Sequence, residues 1–121
     1  LLDNKPTSPT TTKLQIIDLS TGKGKVAKSG DKITVRYTAK RQSDGVAYDT
    51  SHTVAPYSFG LGQGKVTKGW EQGIPGMKVG GKRRLVVPPQ LGYGEKGLGS
   101  SVPPNATLIF DIELISVDGG L

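Results

Sequence analysis

Ala106-Thr107-Leu108-Ile109-Phe110-Asp111-Ile112-Glu113-Leu114-Ile115-Ser116-Val117 sets Leu108, Phe110, Ile112 and Leu114 against Thr107, Asp111 and Glu113. That two-residue period is the signature of a strand with one face on a core and the other in water, because successive side chains point to opposite sides of a sheet. Working outward, Lys32 to Lys40 repeats the pattern, with Ile33, Val35, Tyr37 and Ala39 alternating with Thr34, Arg36, Thr38 and Lys40. Asp44-Gly45 then supplies a hairpin turn, and Val46 to Thr50 returns as the paired strand. Shorter strands are predicted over Lys13–Leu19, Pro56–Leu61 and Lys82–Val87, the last stopped by Pro88-Pro89. One helix of at most two turns is predicted over Val66–Gln72, with Thr67 as its N-cap and Pro75-Gly76 as its stop. Closely spaced strands, one short helix and long Gly/Pro loops give an antiparallel α+β domain, a curved sheet wrapped on a helix.

Composition agrees. A chain of 121 residues is one domain, and its 18 glycines, without a three-residue period, mark many turns rather than a helical bundle. The absence of Cys removes disulfides, thiolate nucleophiles and thiolate metal sites, and one His cannot build a His-rich site, so no metal and no cofactor are expected. No apolar run is long enough to span a bilayer, so no membrane insertion is expected. Residues 1–13, with Pro6, Pro9 and many Ser and Thr, read as a linker arm; 14–118 read as the folded domain and 119–121 as a tail. A start at Leu rather than Met leads to the expectation that the arm continues from a removed leader or a neighbouring domain.

The formal charge of +6 permits a polyanionic partner, but the lysines scatter over turns and only Lys82-Arg83-Arg84 forms a run, so nucleic acid is not expected. Other motifs fail on context. Gly92-Tyr93-Gly94-Glu95-Lys96-Gly97 has dinucleotide-site spacing but leads into Ser100-Ser101-Val102-Pro103-Pro104 instead of a helix whose N-terminus could meet a pyrophosphate. Gly76-Met77-Lys78-Val79-Gly80-Gly81-Lys82 begins like a phosphate loop but continues with Arg83 and a strand. Asp49, Ser51 and His52 are too close in sequence for a nucleophile relay and read as an exposed polar loop.

What stands out is the placement of the seven aromatic rings, at strand interiors, at the start of the only helix and, with Tyr93, inside a glycine-rich loop. Core filling would explain some of them. A concave pocket lined by rings with a few polar tips explains the set.

Val35-Arg36-Tyr37-Thr38, Tyr48-Asp49-Thr50-Ser51, Val66-Thr67-Lys68-Gly69-Trp70-Glu71-Gln72-Gly73 and Val102-Pro103-Pro104-Asn105-Ala106-Thr107-Leu108-Ile109-Phe110 follow one another in this order. In these spans the chain resembles the FKBP-type peptidyl-prolyl cis-trans isomerases, immunophilins that bind tacrolimus and rapamycin. The resemblance covers about residues 14–117. It implies a five- or six-stranded antiparallel curved sheet around one short helix, X–Pro isomerase activity in protein folding without a cofactor, proline-containing polypeptide clients, macrolide inhibitors, and a monomer. The family default is cytoplasmic; an exported or tethered domain is also compatible with the arm.

By motif, the resemblance places Trp70 on the pocket floor and Tyr37, Tyr57, Phe59, Val66, Val102 and Phe110 in its walls. Tyr48 and Asp49 fall on the family's Phe-Asp pair, and Tyr93 on the loop tyrosine that bonds a ligand carbonyl. The Thr67 backbone N–H falls where the family donates to bound ligand, and Leu98 and Ser101 on the overhanging loop. Trp70 and Phe110 would grip the prolyl ring, Tyr93 and the Thr67 amide would orient carbonyls, and Asp49 would fix the pocket through hydrogen bonds. The family usually carries Phe at Tyr48, often Phe at Tyr57, and aliphatic residues at Thr67 and Ser101, so altered substrate or drug affinity is expected. The alternative is a non-catalytic module of the same fold that binds proteins or acts as a chaperone.

Overall fold

A computed structural model describes residues 13–50 and 52–118, so the expectations for the arm before Lys13, for Ser51 and for the tail 119–121 lie outside the described residues. The strands are β1 (Gln15–Ser20), β2 (Lys32–Arg41), β3 (Ala47–Asp49), β4 (Tyr57–Gly60), β5 (Lys82–Val87) and β6 (Leu108–Asp118), with a helix α1 (Lys68–Gly73) between β4 and β5. They form one sheet in the order β1-β5-β6-β2-β3, with β4 also on β2. Every described pairing is antiparallel.

The two strands with the clearest alternation form the middle of the sheet. β2 and β6 pair along their length, from Lys32 opposite Asp118 to Arg41 opposite Leu108, with one irregularity at Thr34/Val35. Their inward residues, Ile33, Val35 and Ala39 on one and Leu108, Phe110, Ile112 and Leu114 on the other, are buried. Leu85 and Val87 of β5 extend that face, and Trp70, Ile74 and Met77 close it from the helix side. Burying each of the larger side chains is worth about 1.5–3 kcal/mol, which makes this layer the main source of stability.

A helix of six residues is too short to persist alone, so tertiary contacts must hold it. Gly69 and Gly73, one turn apart, press on β5: a Cβ at Gly69 would stand 2.6 Å from Val87 Cγ1, and one at Gly73 would stand 2.7 Å from Leu85 Cδ2. At the helix C-terminus, Arg83 Nη1 donates to the carbonyls of Gly73 at 2.8 Å and Pro75 at 3.2 Å. Near the N-terminus, Glu71 accepts the N–H groups of Gly62 at 2.8 Å and Gly64 at 2.7 Å, fastening the preceding turn to the helix.

The elements differ from the sequence expectations chiefly at their ends. The helix begins at Lys68 instead of Val66, and Thr67 is its N-cap but makes no side-chain capping bond. β6 starts at Leu108, because Asn105 adopts a left-handed φ of 58° that interrupts extended chain just before it. The basic run belongs to the fold: Arg83 pairs with Asp18 at 2.7 Å, and Arg84 holds both oxygens of Asp111 at 2.7 and 3.0 Å.

Candidate functional site

β3 and β4 pair with opposite ends of β2, and between them the Tyr37 N–H donates to the His52 carbonyl at 2.9 Å while the Thr38 and Thr53 hydroxyls lie 3.2 Å apart. Over this stretch the sheet's concave face opens into a cavity of about 360 Å³, within the size range of small-ligand pockets. Trp70 is its floor. The indole is only 4% exposed and is met at right angles by two rings, Tyr37 at 4.7 Å and Phe110 at 5.4 Å between centroids. Edge-to-face contacts of this kind fix ring orientation as well as bury area.

Most of the expected site residues come together here. Tyr37, Tyr48, Asp49, Tyr57, Val66, Thr67, Trp70, Tyr93, Leu98, Ser101 and Phe110 all line the cavity. Phe59 and Val102, expected in the walls, stand behind the lining. Phe59 is covered by Tyr57, stacked on it at 5.2 Å, and tilts against Trp70 at 5.6 Å; Val102 is 1% exposed beneath the loop that carries Leu98.

That loop has its own construction. Leu98 and Val102 exchange backbone hydrogen bonds of 2.8 and 3.1 Å, leaving Leu98 at the rim and 46% exposed. The narrow turn depends on Gly97, whose φ is +68° and where a Cβ would lie 2.2 Å from the Val102 carbonyl oxygen. Arg41 ties the loop to the sheet by donating to the Ser101 carbonyl at 3.2 Å, and is itself paired with Asp44 at 3.0 Å. Gly92 to Gly97 therefore serves a turn in the pocket rim and opens no helix.

Asp49 is the carboxylate of the cavity, and the Tyr37 hydroxyl donates to its Oδ2 at 2.9 Å. Burial, then the hydrogen bond to Asp49 and that residue's charge, push the Tyr37 phenol well above its ordinary value. Burial raises Tyr48 strongly as well, with help from neighbouring Tyr93 and Tyr37, and raises Tyr93, helped by the Asp49 charge. Three phenols thus stay protonated, and able to donate, throughout the neutral range.

Among the described residues, the buried side-chain polar atoms without a hydrogen-bond partner are Tyr48 Oη, Thr67 Oγ1 and Trp70 Nε1. Leaving such a group unmet costs about 1–3 kcal/mol, so each calls for a partner or a role. All three belong to residues that line the cavity. No group of three or more His, Cys, Asp or Glu that could hold a metal occurs among the described residues. No described helix is long and apolar enough to cross a membrane.

Two residues escaped the sequence reading. His52, read as part of an exposed polar loop, is partly buried, stacks on Tyr37 at 5.3 Å, meets Tyr57 at 5.0 Å, and has its Nδ1 3.0 Å from the Ala55 carbonyl. It buttresses two pocket rings from outside. Lys65 lines the cavity mouth; its only sequence signal was a position next to Val66 in the turn before the helix.

The sequence model of FKBP-type peptidyl-prolyl cis-trans isomerases matches residues 23–115. The chain belongs to this family. It is 48% identical over 106 residues to the peptidyl-prolyl cis-trans isomerase FKBP53 of Arabidopsis thaliana, covering 86% of this chain and 22% of that protein. It is 48% identical over 115 residues to FK506-binding protein 4 of Dictyostelium discoideum, covering 93% of this chain and 31% of that one. The chain thus spans between a fifth and a third of the length of these two relatives. In structure it is similar to the crystal structure of AtFKBP13, with a TM-score of 0.79 and 38% identity over 87% of this chain and 93% of the other.

Proposed function

We propose that this FKBP-type domain accelerates the cis-trans interconversion of X–Pro bonds in polypeptides. The observation that carries this reading is the aromatic box: Trp70 held at right angles to Tyr37 and Phe110 on the floor of a cavity whose wall contains unmet hydrogen-bonding groups. A prolyl ring is compact and apolar and suits that floor. The planar amide resists rotation by about 18–20 kcal/mol because of its C–N double-bond character. Rotation removes that conjugation and with it part of the charge separation, so a floor of aromatic rings favours the twisted amide over the planar one. Each 1.36 kcal/mol of such preference gives about tenfold in rate.

In this reading the roles follow position. Trp70 and Phe110 seat the proline, the Thr67 N–H at the helix start and the Tyr93 phenol hold carbonyl oxygens, and Asp49 orients the Tyr37 ring that forms one side of the box. Tyr48, Tyr57, Val66 and Ser101 shape the wall, Phe59 and Val102 support it, and Leu98 meets the residue preceding proline. Residues 14–118 act as one unit, and the domain works as a monomer. A macrolide such as tacrolimus or rapamycin competes for the same floor.

The test is the exchange rate of a Leu-Pro peptide, followed by NMR or a fluorescent reporter, with and without tacrolimus. Catalysis abolished by the drug is expected. A folded protein that neither catalyses nor binds drug would leave the protein-binding module of this fold as the reading.

A further inference from the structure

We propose that Lys65 is a specificity-determining residue of the cavity, one that favours proline segments carrying a carboxylate close to the Leu-Pro bond; this rests on the isomerase reading above. The cavity lining contains two formally charged side chains, Asp49 and Lys65. Asp49 is engaged inside, by the Tyr37 hydroxyl. Lys65 is exposed at the mouth, and among the described residues no carboxylate lies within ion-pair distance of it.

Its placement is fixed by the fold. Lys65 follows Gly64 and precedes the Val66 wall residue, and the Glu71 carboxylate grips the amides of Gly62 and Gly64 at 2.8 and 2.7 Å. The turn that carries the ammonium group is therefore anchored to the same helix that carries Trp70. A polypeptide with its proline on Trp70 must leave through the mouth past this cation. An acidic side chain there finds a partner, whereas a basic one meets a like charge.

The residue in contact with Leu98 remains apolar in this scheme, and the acidic preference belongs to the positions on either side of the Leu-Pro pair. The experiment compares kcat/KM for peptides with Leu-Pro constant and Glu, Gln or Lys placed either before Leu or after Pro, plus a phosphoserine series. In the wild-type protein the Glu peptide should exceed the Gln peptide by about three-fold at one of the two positions, the scale of a single exposed ion pair, and the Lys peptide should fall below it. In K65Q the ratio should fall to one, and in K65E it should invert. The wild-type preference should vanish near 1 M salt, where the screening length is about 3 Å. K25E, which reverses a charge outside the cavity lining, should leave the ratio as it was.

Turnover of the Gln peptide with a Glu/Gln ratio of one in the wild-type protein, or a ratio unmoved in K65E, would overturn this inference alone. A preference confined to phosphoserine would replace the carboxylate by a dianion as the selected group. Failure of the wild-type protein to isomerise any of the peptides would overturn the isomerase reading and this inference together.

Discussion

The Tyr37 hydroxyl lies 2.9 Å from Asp49 Oδ2, joining the middle of β2 to the last residue of β3 across the cavity wall. The same Tyr37 ring stands perpendicular to Trp70 at 4.7 Å, so one hydrogen bond sets the angle of a wall against the floor. Its loss should loosen the box without emptying it. Y37F and D49A should each lower kcat/KM by about tenfold, and the double variant should lose little more than either alone, because residues sharing one bond are coupled. A double-mutant cycle measured on a Leu-Pro peptide checks this. Strict additivity would separate the two residues.

Gly69 should not tolerate alanine, although alanine is the better helix former by about 1 kcal/mol. A Cβ there would sit 2.6 Å from Val87 Cγ1 in the buried layer, and overpacking of this kind costs about 1–3 kcal/mol. Thermal unfolding of G69A should show a melting temperature lower by about 4–8 °C for each kcal/mol lost. A rise in melting temperature would mean that the helix is not seated as closely on β5 as the distance implies.

Much of this was legible beforehand, for physical reasons that differ between elements. β2 and β6 announce themselves because each has one wet and one dry face, and Leu108, Phe110, Ile112 and Leu114 need no partner to be recognised as a strand. β1 is harder to place: all six of its residues are exposed along the sheet edge, so Ile16, Ile17 and Leu19 report pairing with β5 and not burial. In the site, the rings and Asp49 were found by motif. Whether a ring faces the cavity or the core depends on depth, which motif spacing does not encode, and so Phe59 and Val102 were expected one layer too far forward. Lys65 and His52 were missed because charge and polarity alone suggest solvent, while their positions depend on the turn pinned by Glu71 and on the segment that crosses from β3 to β4.

The three raised phenols fix the response to pH. Tyr37, Tyr48 and Tyr93 hold their protons more tightly in the folded chain than at their ordinary value of 10.0. A group whose folded value is raised contributes stability that is whole below the unfolded value and is lost as pH climbs through the folded one. Stability should therefore fall above about pH 10, as tyrosinate forms first in the unfolded chain, and the phenols should give no pH dependence near neutrality, where their contribution is whole. Urea unfolding of wild-type protein and Y37F across the alkaline range checks it: Y37F should show the shallower decline. Equal slopes would remove Tyr37 from the account.

Glu71 is one residue past the floor tryptophan and accepts both Gly62 and Gly64 amides, so it couples the helix to the turn that carries Lys65 and Val66. In E71Q one of the two acceptors becomes an amide N–H₂ facing another N–H, and the bond that remains is no longer charge-assisted. The cost to stability should be about 1 kcal/mol, since the turn is solvent-exposed. The larger effect should appear in binding: KM should rise several-fold while kcat changes little, because the floor stays in place and only the mouth loosens. A fall in kcat at constant KM would contradict that division.

Tyr48 and Thr67 separate the demands of folding from those of binding. Each buries a hydroxyl without a partner, which costs the free protein, whereas Phe or Val keeps the shape and removes the unmet group. Y48F and T67V should therefore raise the melting temperature slightly. If these hydroxyls find partners only when the cavity fills, the same variants should bind a proline peptide or macrolide more weakly, so that stability and affinity move in opposite directions. Calorimetric titration of each variant, alongside its unfolding curve, gives both quantities from one preparation. A gain in stability with unchanged affinity would assign the unmet hydroxyls to folding alone and leave ligand recognition to Trp70, Phe110, Tyr93 and the Thr67 backbone.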